Sequence, residues 1–257
     1  MEQVFQVVSE KVSSSVVIVR QHPYGRYCVG SVVSPPSNTD TTAIMTSSCL
    51  SEESGRIFVH FNDNTELEAR RLVSADRFTL LEVDYKAGCS MIEFSEIDVN
   101  QPSDAFILAP NSKSCLSHIP AFVVQPSCAA RDAKMNNIEG SENYFLVLCR
   151  SGNLLNVGYA IQNQLMSAPV FDLNGKVIGL VTSQCGTDKT KNDIKIGLLA
   201  SHAQKIRDDL LEESKKEMKV AERSEESKQH EEGAETNSSA GTRKKKRRLM
   251  KGGKPVC

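Results

Sequence analysis

No stretch of this 257-residue sequence approaches the roughly 20 consecutive apolar residues that a membrane span requires. Its opening, MEQVFQVVSEKVSSSVV, carries acidic residues and lacks the uninterrupted apolar segment of a secretory signal. These two absences predict a chain with no membrane span, made and kept inside the cell. Cysteine is plentiful, at eight, but none of the eight stands in a C-x-x-C pair. Of the eight (Cys28, Cys49, Cys89, Cys115, Cys128, Cys149, Cys185 and Cys257), most sit in apolar, strand-like runs, which argues against zinc and for reduced thiols acting as small, half-buried hydrophobes. No motif calls for a cofactor or a metal.

What is present is unevenly distributed. The net charge of −1 conceals a division: residues 1–204 hold 16 basic against 21 acidic side chains, 205–238 hold 7 against 11, and 242–254 hold 8 against none. Up to about Ala200 the chain is a succession of short β-type runs separated by Gly, Pro, Asn, Asp and Ser, the spacing of an all-β barrel or sandwich. SVVIV, YCVGSVV, TAIMT, RIFVHF, ELEARRLVS, TLLEV, AFILA, AFVVQ, NYFLVLC and DIKIGLL read as strands. Within RIFVHF, Ile57, Val59 and Phe61 alternate onto one face, leaving His60 to point outward to the surface. Val170 and Phe171 lead through an Asn174-Gly175 turn into the returning strand Val177 to Val181, a hairpin signal.

A short helix is expected near the start, where Val4, Val7, Val8 and Val12 recur near helical spacing. Another begins near Ser201, read as its N-cap, with Ile206, Leu210 and Leu211 as its apolar stripe. The expected organisation is thus a β domain over 1–204, a charged helical extension over 205–228, and a disordered linker with a basic tail over 229–257. Apart from a loose likeness between two β-rich halves, the sequence shows no internal repeat.

Four stretches in order resemble the trypsin-like peptidase domain of the HtrA/Deg serine proteases, across roughly the first 205 residues: GRYCVGSVVSP, AIMTSSCL, SADRFTLLEV and AIQNQLMSAPVFDLNGKVIGLVTS. The last resembles A-I-N-x-G-N-S-G-G-P-V-F-D-x-x-G-x-V-I-G-I-x-T and carries most of the weight. The resemblance implies a trypsin-like double β-barrel with a cleft between two six-stranded barrels, closed by a C-terminal helix. It also places Cys49 where the family has its general-base His, Arg77 where it has the orienting Asp, and Met166 where it has the nucleophilic Ser. Ser167 and Ala168 stand for the following Gly-Gly.

Acyl transfer by that family requires a hydroxyl, an acceptor for its proton and a carboxylate that orients the imidazole. A thioether supplies no proton, and a guanidinium has the wrong sign to support an imidazolium. Leu165 and Ala168 are also less permissive than glycine for an oxyanion-binding turn. The expectation from residue types is therefore a protease-like fold that is not an enzyme: a binding or scaffold module whose inter-barrel cleft takes a protein or peptide by strand addition. An unconventional peptidase is the alternative, with Cys49 as nucleophile beside Arg77. No family-type PDZ domain is expected after Ser201.

The tail contains six consecutive basic residues, Arg243, Lys244, Lys245, Lys246, Arg247 and Arg248. A short terminal cluster of this kind predicts recognition by a nuclear import receptor and a nuclear location, with the cytoplasm as alternative. Weak, salt-sensitive nucleic-acid binding is the other reading of the same cluster, and the absence of interleaved aromatics removes base stacking. The sequence leaves the oligomeric state open.

Overall fold

The structure is a computed structural model that describes residues 2–22, 26–34, 41–48, 55–75, 77–110, 115–128, 143–149, 165–184 and 194–237. The alternation of β-branched and polar residues becomes twelve strands among these. The first six are β1 (Val16–His22), β2 (Arg26–Val32), β3 (Thr41–Ser47), β4 (Arg56–His60), β5 (Glu66–Ala75) and β6 (Phe78–Asp84). The second six are β7 (Ser103–Pro110), β8 (Leu116–Cys128), β9 (Tyr144–Cys149), β10 (Pro169–Phe171), β11 (Val177–Gln184) and β12 (Ile194–Leu199). Helix α1 (Glu2–Val12) precedes them and α2 (Ala200–Asn237) follows.

The strands close into two antiparallel barrels, ordered β1-β2-β3-β6-β5-β4 and β10-β11-β12-β9-β8-β7. Read around the ring from its first strand, the second barrel repeats the connectivity of the first six strands later. The loose likeness of the two halves in sequence is thus a repeat of topology. Closure gives each strand two partners and removes the edges that an open sheet leaves exposed.

Tight turns set the registers. Asn64 lies in the left-handed region at φ 65°, where the Phe61 N–H donates to the Thr65 carbonyl at 2.9 Å. At the β10–β11 turn the positive φ falls on Gly175 alone, at 82°, and the Asp172 carboxylate accepts the N–H groups of Asn174 and Lys176 at 2.9 and 2.8 Å. Asp63 plays a comparable role in the first turn, accepting the Thr65 N–H at 3.0 Å. It also binds the Lys86 ammonium, and that bond, followed by the Thr65 contacts, lowers its pKa from an ordinary 3.8 to about 2. A carboxylate with a depressed folded-state pKa stabilises the fold above its unfolded pKa, and the contribution disappears as pH falls from about 4 through about 2. An NMR titration should find Asp63 half-protonated near pH 2 and should find its midpoint raised in Lys86→Ala.

The second barrel is packed around Phe145, which is fully buried. Its ring occupies the space where a Cβ on Gly179 or Gly197 would lie, and a Cβ on Gly179 would also fall on the Leu198 carbonyl oxygen. Phe106 stacks on Phe171 with ring centroids 5.2 Å apart, and Phe5 of α1 reaches Phe106 at 6.0 Å. The N-terminal helix is therefore seated against the second barrel, with Val8 and Val12 also approaching Gly175.

The connector between the barrels is laced to both. Ile92 N–H donates to the Val32 carbonyl at 2.9 Å, Val177 N–H to the Glu93 carbonyl at 2.8 Å, and Ser95 N–H to the Val177 carbonyl at 2.8 Å. The Glu93–Lys176 ion pair reinforces it; the bond to Lys176 lowers the Glu93 pKa, and the bond to Glu93 raises that of Lys176.

Two local readings need correction. His60 is buried, because pairing with Glu66 and the proximity of Arg20 to the same carboxylate cover the outer side of its strand. Ser201 is not the residue before the helix: α2 begins at Ala200, and Asp98 of the connector accepts the Ser201 N–H at 3.0 Å and its hydroxyl at 2.6 Å. An imported carboxylate thus supplies both the cap and the charge that a helix N-terminus favours.

The chain divides into two units, Met1–Ser214 and Lys215–Cys257. In the first, Ala203 and Leu210 of α2 are fully buried, and Ile206 and Leu211 pack on the core. In the second, the helix continues to Asn237, past Lys228, where composition reads as a linker. Residues 229–237, QHEEGAETN, include three Glu and one Ala, which are strong helix formers. Cys28, Cys128 and Cys149 are buried, Cys89 is half-buried and Cys115 is exposed. Among the described residues no helix is long and apolar enough to cross a membrane.

Candidate functional site

The Leu165–Ala168 turn, which launches β10, lies where the two barrels meet. Leu165 and Ala168 are buried and Met166 is half-buried. Ser167 N–H donates to the Val181 carbonyl at 2.8 Å, Ala168 N–H to the Leu165 carbonyl at 3.0 Å, and Val181 N–H to the Ala168 carbonyl at 2.9 Å, so β11 holds the turn from one side. From the other side the first barrel holds it: the Ser167 hydroxyl, itself buried, shares its proton between the Val29 and Met166 carbonyls, each at 2.5 Å. Ser167 adopts φ 62°, a region that disfavours every residue with a Cβ. The strain falls at the position where the resembled motif carries glycine.

The Val29 carbonyl also accepts the Thr46 hydroxyl at 2.8 Å, and that hydroxyl lies 3.1 Å from the buried Cys28 sulfur. Two residues beyond Thr46, Ser48 N–H donates to the Arg77 carbonyl at 2.8 Å. The structure therefore gathers the Met166 turn, β2, the end of β3 and the Arg77 turn into one neighbourhood. Arg77 is half-buried there. Cys49 lies outside the described residues, as do Gln164 and the basic run 243–248.

Among the other thiols, Cys89 has its pKa raised by burial, which disfavours the thiolate a nucleophile needs, although Lys86 partly opposes the shift. Among the described residues no cluster of three His, Cys, Asp or Glu side chains is placed to hold a metal. A surface hollow of about 350 Å³ is lined by Phe94, Ser95, Glu96, Ile97 and Lys176. It belongs to the start of β11, whereas the Leu165–Ala168 turn is bonded toward its end, so hollow and turn are separate features.

Two closed six-stranded barrels of like connectivity, with the β10 turn at their junction, define a trypsin-like double-barrel protein. Comparison with solved structures agrees. The chain is similar to the Rv3671c protease of M. tuberculosis in its inactive form, at 19% identity and a TM-score of 0.57 over 77% of this chain and 90% of that one. The active form of the same protease matches at 19% identity and 0.57, over 77% and 82%. A serine endoprotease from Yersinia pestis matches at 14% identity and a TM-score of 0.60, over 81% of this chain and 66% of that one. No family model matches the chain, and no curated protein does. The fold is that of the HtrA-type serine protease domain.

That finding overturns the expectation that the chain is not an enzyme. The solved structures sharing its fold are proteases, one of them in an active form. The earlier inference rested on residue types at Cys49, Arg77 and Met166, and matching short motifs assigns residue types without fixing where functional atoms converge. The turn's hydrogen bonds were not legible in the sequence either. The serine in place of a glycine was the available signal that its hydroxyl had a structural partner.

Proposed function

We propose that the two-barrel domain acts on polypeptide, receiving an extended protein or peptide segment in the cleft beside the Leu165–Ala168 turn. The carrying observation is the Leu165–Ala168 turn at the junction of the two barrels, bonded to Val181 of β11 on one side and, through the Ser167 hydroxyl, to the Val29 carbonyl of β2 on the other. Main-chain hydrogen bonds are the means by which a β protein holds extended peptides of varied sequence. Peptide-bond hydrolysis is the reaction the fold brings with it, and the solved protease structures support it.

The test uses the full chain with a library of labelled extended peptides, reading fluorescence anisotropy for binding and mass spectrometry for new termini. Saturable binding or cleavage is expected, with Met166→Arg weakening it by about tenfold through a charge set beside the turn. An absence of both binding and new termini across the library overturns the reading.

The six-residue basic run supports a second proposal, nuclear import through Arg243 to Arg248. A fluorescent fusion should concentrate in the nucleus and redistribute to the cytoplasm when these six are replaced by alanine. An unchanged distribution, with salt-sensitive nucleic-acid binding lost instead, would assign the run to phosphate contacts.

A further inference from the structure

Several arginines on the first barrel have a carboxylate beside them: Arg20 lies by Glu66, Arg56 pairs with Glu68, and Arg70 pairs with Glu82. Arg77 differs. It is half-buried, and among the described residues its side chain meets no carboxylate and no other hydrogen-bond acceptor. A cation partly withdrawn from water without a counter-charge carries a desolvation cost that an incoming anion offsets.

Its place in the chain sets it at the junction of the barrels. Arg77 belongs to the tight turn between β5 and β6, whose last register pair is Ala75↔Phe78. Phe78 is buried in the apolar cluster that also holds Val29, Leu165 and Ala168, and Ala75 packs against that cluster. Phe78 pairs in turn with Ser47 of β3, and the Arg77 carbonyl accepts the Ser48 N–H at 2.8 Å. One residue back from Ser47, the Thr46 hydroxyl donates to the Val29 carbonyl, which also accepts the Ser167 hydroxyl. Both feet of the Arg77 turn therefore stand on the core that Leu165 and Ala168 complete, and two hydrogen bonds meeting at Val29 tie that end of β3 to the Met166 turn.

We infer that Arg77 reads a carboxylate on the polypeptide received beside the Leu165–Ala168 turn, either an Asp or Glu side chain or the terminal carboxylate of the segment. The inference rests on the polypeptide reading above and adds a ligand class to it. The sign that unfits Arg77 to orient an imidazolium suits it to an anion. Its planar guanidinium offers a carboxylate two parallel N–H bonds, a match that a point-like ammonium lacks, and a charge-assisted bond separates a carboxylate from its isosteric amide.

The experiment measures fluorescence anisotropy of labelled peptides with the full-length protein and its Arg77→Gln, Arg77→Lys and Arg77→Glu variants. Asp or Glu is exchanged for Asn or Gln at successive positions, and each peptide is made with a free and with an amidated C-terminus, which separates the two carboxylate sources. Wild type should favour the carboxylate form from one source by about tenfold. Arg77→Gln should erase that preference, Arg77→Lys should diminish it, and Arg77→Glu should turn it against the carboxylate. Wild type indifferent to carboxylates, or a preference that survives in Arg77→Gln, would overturn the Arg77 assignment while leaving the polypeptide reading in place. No binding by any peptide would remove both. Should the variants fail to fold, the wild-type protein still decides: its Arg77 Nε–H resonance should shift on titration with the favoured carboxylate peptide and stay in place with the amide, and a resonance that neither moves overturns the assignment.

Discussion

Phe145→Ala is expected to lower the free energy of unfolding by about 3–5 kcal/mol, the cost of removing a fully buried aromatic ring and leaving its cavity. The more informative result comes from pairing it with the glycines beneath the ring. Gly197→Ala alone forces a methyl group into space the Phe145 ring occupies, and overpacking of this kind costs about 1–3 kcal/mol. In the double variant that methyl enters the vacated space, so the combined loss should fall short of the sum by about 1–3 kcal/mol. Gly179→Ala should behave differently, because its methyl also meets the Leu198 carbonyl oxygen, a backbone atom that removing the ring does not move. Urea unfolding of the two cycles provides the check. Simple additivity for Gly197 and Phe145 would show that the ring does not fill that space.

Ser167→Val is expected to destabilise the protein by about 2–4 kcal/mol. The substitution puts a β-branched residue at φ 62°, where even serine is strained, and removes the hydroxyl that bonds the two barrels through Val29. Ser167→Ala keeps the strain and loses the bond, for about 1–2 kcal/mol; Ser167→Gly loses the bond and relieves the strain, and should lie within about 1 kcal/mol of wild type. The order Gly, Ala, Val, read from thermal or urea melts, is the diagnostic. If alanine proves as stable as wild type, the Val29 bond contributes nothing; if alanine proves as stable as glycine, the backbone strain at φ 62° contributes nothing.

The fold was legible because its strands follow simple rules. Alternation in RIFVHF placed Ile57, Val59 and Phe61 in the core, and the hairpin leading into VIGLV was signalled by Asn174-Gly175. Periodicity reports which side of a strand a residue faces, but not what covers that side, and so His60 was assigned to solvent. Nor does it report partners distant in sequence, which is why Asp98 was not anticipated as the cap for α2. Lys195 shows the same limit: within DIKIGLL it reads as an ordinary strand charge, and only the ladder with β9 reveals its burial. The candidate site was legible as a motif around Met166, whereas its chemistry was not, because a motif records residue types and the turn's geometry depends on Val29 and Val181 from elsewhere.

The seating of α1 bears on the order in which the protein can be completed during synthesis. That helix leaves the ribosome before either barrel, yet Phe106 and the Gly175 turn against which it rests emerge only after the whole first barrel and much of the second. The first barrel can close while translation continues, but the helix must wait, exposing Phe5 and its valines to chaperones or to neighbouring chains until the second barrel is made.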